Sequence, residues 1–195
     1  MHGLINRAIQ AFVTSTYGAD RWEEVMEEAG LGFSEFEAML FYTEEQSGQM
    51  LAAMEKVLAR PLPEMLEDMG TFLVSNPQVE ALRRLLRFGG VNYVEFLHSL
   101  DDLPDRARLA VSDLHLPALE LLEQAPDQFE LVCQPGLPGY AHVLMGVLRA
   151  MADDYGDLVF LDHRGTQDDA EVISITLVET KFAAGREFDL GAHSL

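Results

Sequence analysis

Asn92-Tyr93-Val94-Glu95-Phe96-Leu97-His98-Ser99-Leu100-Asp101-Asp102-Leu103-Pro104 is the stretch on which the reading of this chain turns. Gly89-Gly90 breaks the preceding helical pattern, and residues 93–99 read as a short helix. Asp101 stands as the cap of the next turn, which puts Pro104 in a first turn, where a missing N–H costs least. Proline has no side-chain donor atom, so position 104 cannot ligate a metal. Were His98 on one continuous helix with Pro104, the six-residue step between them would turn the chain by about 240° and raise it ~9 Å, placing the two on different faces.

Towards the N-terminus the pattern is helical. Ile5, Ala8, Ile9, Phe12 and Val13 recur at helical spacing, giving a helix over 4–15. Asp20 is expected to cap a second helix carrying Trp22, Val25 and Met26. Residues 47–58 form a third, 64–74 a fourth bounded by Pro61 and Pro63, and Pro77 opens a fifth with Val79, Leu82, Leu85 and Leu86 on one face. Towards the C-terminus the pattern changes. Residues 129–133, 158–163 and 172–178 read as strands, with Asp168-Asp169 in a hairpin turn between the last two. A helix over 140–153 has its apolar stripe at Tyr140, Val143, Leu144, Val147, Leu148 and Met151. The fold class is therefore α+β, a helical N-terminal lobe followed by a C-terminal lobe with a small antiparallel sheet and packed helices.

The opening Met1-His2-Gly3-Leu4-Ile5-Asn6-Arg7-Ala8-Ile9, the Tyr17-Gly18 and Trp22-Glu23-Glu24 that follow, the stretch 92–104 and Leu116-Pro117 occur in an order that resembles the H-NOX family, the haem nitric oxide/oxygen-binding domains that include the sensor domain of soluble guanylate cyclase. The resemblance covers essentially the whole chain. It implies a single H-NOX-like domain over 1–195, with a helical lobe over about 1–88, a sheet-bearing lobe over about 89–181 and a loose tail over 182–195. In the family, haem lies between the lobes. Stand-alone members act on a separate signalling protein, such as a histidine kinase or a cyclic-dinucleotide enzyme. The pocket lining implied here is Ile5, Pro117, Val143 and Leu144.

The departures from the family are specific. Pro104 occupies the axial histidine position. The Tyr-x-Ser-x-Arg motif that holds the haem propionates falls on Cys133-Gln134-Pro135-Gly136-Leu137, so that Cys133, Pro135 and Leu137 stand for its three residues, and no Tyr-x-Ser-x-Arg occurs anywhere in the chain. Four residues that serve one cofactor are replaced together. No cofactor is expected in the family manner, and haem follows from the resemblance alone.

Composition sets the bounds. The chain has 195 residues, 48% hydrophobic and 24% charged, with a formal charge of −20 from 33 acidic and 13 basic residues. Such a surface repels phosphate backbones and anionic bilayers, so neither nucleic acid nor membrane is an expected partner. The acidity serves solubility, or docking to a basic partner surface through faces such as Glu23-Glu24, Glu27-Glu28 and Glu64 with Asp68. There is no apolar run of spanning length and no signal-peptide pattern, which gives a cytoplasmic expectation. The single cysteine, Cys133, excludes an intramolecular disulfide.

Candidate chemistry is sparse. His115, beside Leu116-Pro117, is the replacement haem ligand to consider, and the thiolate of Cys133 is another. His142 falls on the Gly146 and Arg149 side of its helix, and His2, His163 and His193 are scattered, with no His-x-x-x-His spacing. The Pro- and Gly-rich residues 134–139 lack the lysine of a phosphate loop and read as a turn. No serine has a nucleophile-elbow context, so the chain does not read as an enzyme. Three readings are open: a sensor whose inter-lobe cavity takes another apolar ligand such as a lipid or a different tetrapyrrole, an interaction module with that cavity filled by its own side chains, and a haem sensor with a non-standard axial ligand.

Overall fold

A computed structural model describes residues 1–77 and 80–186. Val79 of the expected fifth-helix face, His193 and the tail from residue 187 lie outside the described residues. The elements are α1 (Gly3–Tyr17), α2 (Ala19–Ala29), α3 (Glu44–Leu58), α4 (Leu62–Ser75), α5 (Glu80–Arg87), α6 (Tyr93–His98), α7 (Leu103–Ala110), β1 (Leu119–Ala125), β2 (Gln128–Cys133), α8 (Tyr140–Tyr155), β3 (Leu158–Gln167) and β4 (Ala170–Glu179). The sheet is antiparallel, in the order β1-β2-β4-β3.

Local chemistry explains most boundaries. Thr43 and Gln46 form a capping box, so α3 begins at Glu44 rather than at the expected residue 47. Gly18, not Asp20, is the N-cap of α2, and Asp20 lies in its first turn, where a carboxylate still favours the helix dipole. Asp168 and Asp169 both take the left-handed conformation, with φ of 50° and 68°, the two-residue turn that suits the twist of the β3–β4 hairpin.

Two expectations are corrected at α7 and β1. The N-cap of α7 is Asp102, and Pro104 is its second residue. Asp101 instead accepts a hydrogen bond from the Leu121 N–H at 2.8 Å, satisfying a donor on β1, which forms one edge of the sheet. β1 itself, Leu119-Glu120-Leu121-Leu122-Glu123-Gln124-Ala125, carries no β-branched or aromatic residue and has helix-forming composition. It is a strand because β2 pairs with it from Leu119↔Cys133 to Glu123↔Phe129.

Two apolar cores result. Ile9, Phe12, Val13, Trp22, Val25, Phe36, Met50, Met54, Met65 and Met69 form the first, among α1, α2, α3 and the first half of α4. Val74, Leu86, Tyr93, Phe96, Leu97, Leu100 and the inner sheet face (Leu119, Phe129, Leu131, Ile173, Ile175) form the second, with α8. The packing changes hands inside α4, between Met69 and Val74. Buried polar groups stitch each part. Asn6 donates to Ser47 Oγ at 3.2 Å between α1 and α3. Asp154 near the end of α8 is 2% exposed and is paired by Arg83 at 2.8 Å and Arg87 at 3.5 Å, both from α5. The tail expected to be loose from residue 182 is held as far as Arg186. Ala183 N–H donates to Gly156 and Arg186 N–H to Asp154, an approach that leaves no room for a Cβ at Gly156 or Gly185.

A close approach of backbones joins α4 to α8. A Cβ on Gly70 would lie 2.0 Å from the Val143 carbonyl oxygen, and one on Gly146 would lie 1.9 Å from the Glu67 carbonyl oxygen. Backbone therefore meets backbone, and only glycine fits on either side. Gly70→Ala or Gly146→Ala is expected to destabilise the fold by roughly 1–3 kcal/mol or more in urea titrations, through overpacking. Gly48→Ala on the exposed face of α3, where a Cβ meets nothing within 4 Å, is expected to stabilise by up to about 1 kcal/mol.

Candidate functional site

The residues singled out from the sequence fall in three places. Val143 stands where the two cores meet, packed against both. Ile5 packs in the first core and Leu144, 2% exposed, in the second. Val143 itself is half-buried, whereas Leu144 and Leu148 on the same helix are buried. Tyr93 is fully buried and its hydroxyl donates to the Leu148 carbonyl at 3.1 Å, which anchors α6 on α8. The face of α8 that carries Gly146, outside the expected apolar stripe, is covered by α4. His142, on the same side, has Nδ1 3.7 Å from Glu67 and its ring centroid 4.5 Å from that of His163.

The second place is the turn between β2 and α8. Cys133 is 2% exposed, and its side chain joins the second core. Burial, with a lesser push from Glu171, raises its thiol from 9.0 to about 12, so the thiolate that would bind iron is disfavoured at neutral pH. Pro135 is exposed, Leu137 is half-buried against the second core, and Pro117 is buried in the segment whose Ala118 carbonyl accepts from Gln134 N–H. Tyr140 opens α8 with a buried hydroxyl that has no hydrogen-bond partner among the described residues, and burial pushes its pKa above the usual tyrosine value, making it a weaker acid. A surface cavity of about 340 Å³ adjoins this turn. Its charged lining consists of Glu44, Asp169 and Glu171, with no Lys or Arg.

The third place is the α7 region. Pro104 is half-buried, while Leu103 and Ala107 carry the buried face of α7. His115 is exposed, and its Nδ1 lies 2.9 Å from the Asp113 carbonyl, so it does not reach the interior.

Taken as a donor set, these residues do not fit a haem held by an axial side chain and a propionate clamp. Pro104 has no ligand atom, Cys133 keeps its proton, and His115 faces solvent. The charges lining the cavity beside residues 133–137 have the same sign as a propionate, so they would repel it. Two residues that decide the inter-lobe geometry, Gly70 and Gly146, were not singled out from the sequence. Each is an isolated glycine inside an apolar helical pattern, Met69-Gly70-Thr71 and Met145-Gly146-Val147, a signal of close packing.

The sequence model of the haem-NO-binding family matches residues 2–163. The chain belongs to this family. Among curated relatives it is 23% identical over 154 residues to a soluble guanylate cyclase of Caenorhabditis elegans, gcy-31, covering 79% of this chain and 22% of that protein. A second, gcy-35, is 31% identical over 105 residues, 53% of this chain and 15% of the relative. The chain thus spans about a fifth of the length of the curated relatives it matches. The fold is that of the Fe(II) unliganded H-NOX protein from K. algicida, with a TM-score of 0.80 at 13% identity, covering 94% of this chain and 100% of that one. The H-NOX protein from S. oneidensis in the Fe(II)NO state gives 0.72 at 17% identity over 92% and 100% of the two chains. The expected family and the α+β H-NOX fold both hold. No helix among the described residues is long and apolar enough to cross a membrane.

The thiol provides a direct check on this region. Between pH 9 and 12 an unfolded chain releases the Cys133 proton that the folded chain keeps, so stability falls as pH rises through that window and is unaffected by this group below it. Urea midpoints measured from pH 7 to 11 are expected to decline more steeply for the parent than for Cys133→Ala. Equal slopes would show that the thiol titrates as if exposed.

Proposed function

We propose that this H-NOX domain is a sensory or regulatory signalling module that does not hold haem in the family manner and acts through contact with a separate signalling protein. The contact of α4 with α8 through Gly70 and Gly146 carries the reading. A direct backbone contact between elements of the two expected lobes supports a module whose lobes are held together by protein contacts. Here the two helices already meet backbone to backbone, and Tyr93, Leu144 and Leu148 are buried by protein alone. The replaced ligand at Pro104 and the acidic lining beside residues 134–139 support the same reading. The packed interior favours an interaction module over a sensor with a second apolar ligand between the lobes.

The partner class implied by the family, a histidine kinase or a cyclic-dinucleotide enzyme, is part of the proposal, as are a non-catalytic role and a cytoplasmic location. The relatives named as guanylate cyclases are several times longer than this chain, and no group of three or more His, Cys, Asp or Glu among the described residues is placed to hold a metal ion.

Hemin titrated into the purified protein is expected to give a non-specific rise in absorbance without a saturating Soret band. A band that saturates at one haem per chain would overturn the haem-free reading. In that case its shift or persistence in His115→Ala would show whether this exposed histidine had been recruited.

A further inference from the structure

Met39, Leu40 and Phe41 are three consecutive large apolar residues, 70%, 49% and 63% exposed, and Leu4, next in the chain to the Gly3 whose N–H meets the Leu40 carbonyl, is 37% exposed. A run of this kind is unfavourable in water unless something covers it. The loop is not loosely held. Phe36 anchors one end, fully buried and in ring contact with Trp22, Phe33 and Tyr42. At the other end Tyr42 N–H donates to the Met1 carbonyl at 2.9 Å. Between them, Gly3 N–H donates to the Leu40 carbonyl at 2.7 Å, the Tyr42 hydroxyl accepts from Glu37 N–H at 2.8 Å, and Phe41 sets its ring edge to His2 at 5.0 Å. A Cβ on Gly3 would lie 2.0 Å from the Glu37 carbonyl oxygen, so the N-terminal glycine is what lets α1 grip the loop. The backbone beneath the apolar tip is therefore held in place by α1, which lowers the ordering cost of binding.

The surroundings select the occupant. Glu35, Glu37, Glu44 and Glu45 flank the tip, are exposed, and take part in no ion pair among the described residues. Residues 22–55 contain nine glutamates and no Lys or Arg. A second copy of the chain would bring like charges together, and anionic lipid or nucleic acid would be repelled.

We infer that the tip formed by Leu4, Met39, Leu40 and Phe41, with its flanking glutamates, docks a basic amphipathic segment of a partner protein, one that places a large apolar side chain among Lys or Arg. This rests on the reading that the chain acts by contacting a partner, but it is independent of haem, so a positive hemin titration would leave it standing.

The test uses the whole chain, ¹⁵N-labelled, with a synthetic amphipathic Leu/Lys helical peptide, a Leu/Glu peptide of the same pattern and a Ser/Lys peptide. The Leu/Lys peptide is expected to shift amides in residues 35–45 and in Leu4 and to bind saturably. Its affinity should weaken with added salt and by about tenfold or more in Met39→Ser/Phe41→Ser. It should also weaken in Glu37→Gln/Glu45→Gln, which leaves the apolar side chains in place, while both control peptides bind far less. Shifts scattered over the acidic surface, or affinity unchanged in both variants, would overturn this surface while leaving the broader partner reading intact. So would concentration-dependent dimerisation, or binding to neutral phosphatidylcholine vesicles, that is lost in Met39→Ser/Phe41→Ser.

Discussion

The rest of the structure depends on two glycines. Gly70 in α4 and Gly146 in α8 let the helices meet at backbone distance, and the consequences run outward from that line. Thr71 Oγ1 lies 3.3 Å from the Glu67 carbonyl and 3.5 Å from that of Gly146, so even the polar atoms at the seam are shared between the helices. Glu67 then reaches Arg149 at 3.0 Å and faces His142 at 3.7 Å, closing the rim. Val143, placed between the two cores, joins them into one apolar interior. Elements of the two expected lobes are thus fastened to each other by protein contacts along this seam.

The seam also gives the substitutions a common logic. A proline at the second position of α7 is well tolerated by the backbone, since the first helical N–H groups have no intrahelical acceptor. A buried neutral thiol at Cys133 and an apolar side chain at Leu137 extend the second core into the turn that the resemblance assigns to propionate recognition. Each change would be costly in a haem site and is unremarkable in a packed interior.

Much of this was legible in the sequence, and the remainder was hidden for identifiable reasons. The apolar periods of α1, α4 and α8 and the β-branched run of β4 announce themselves locally, as does the loss of a ligand atom at Pro104. β1 did not, because Leu, Glu, Gln and Ala favour a helix and only pairing with β2 makes them a strand. Asp101 looked like a cap because a carboxylate before a helical turn usually is one. Its actual partner, the Leu121 N–H, lies twenty residues away. The exposed orientation of His115 and the meeting of Gly70 with Gly146 are long-range facts. Each glycine could be marked as unusual within its helix, but not matched to the other. The state of the inter-lobe space, which decides between sensor and interaction module, rests on that match.

The most direct measurement is native-state hydrogen exchange on the haem-free protein, followed residue by residue along α4 and α8. If the helices are locked by their own contact, the central amides of both exchange only through global unfolding, at one common free energy, and added hemin leaves them unchanged. Separate opening of the two lobes, with the facing amides of α4 and α8 protected only once hemin is added, would contradict the account.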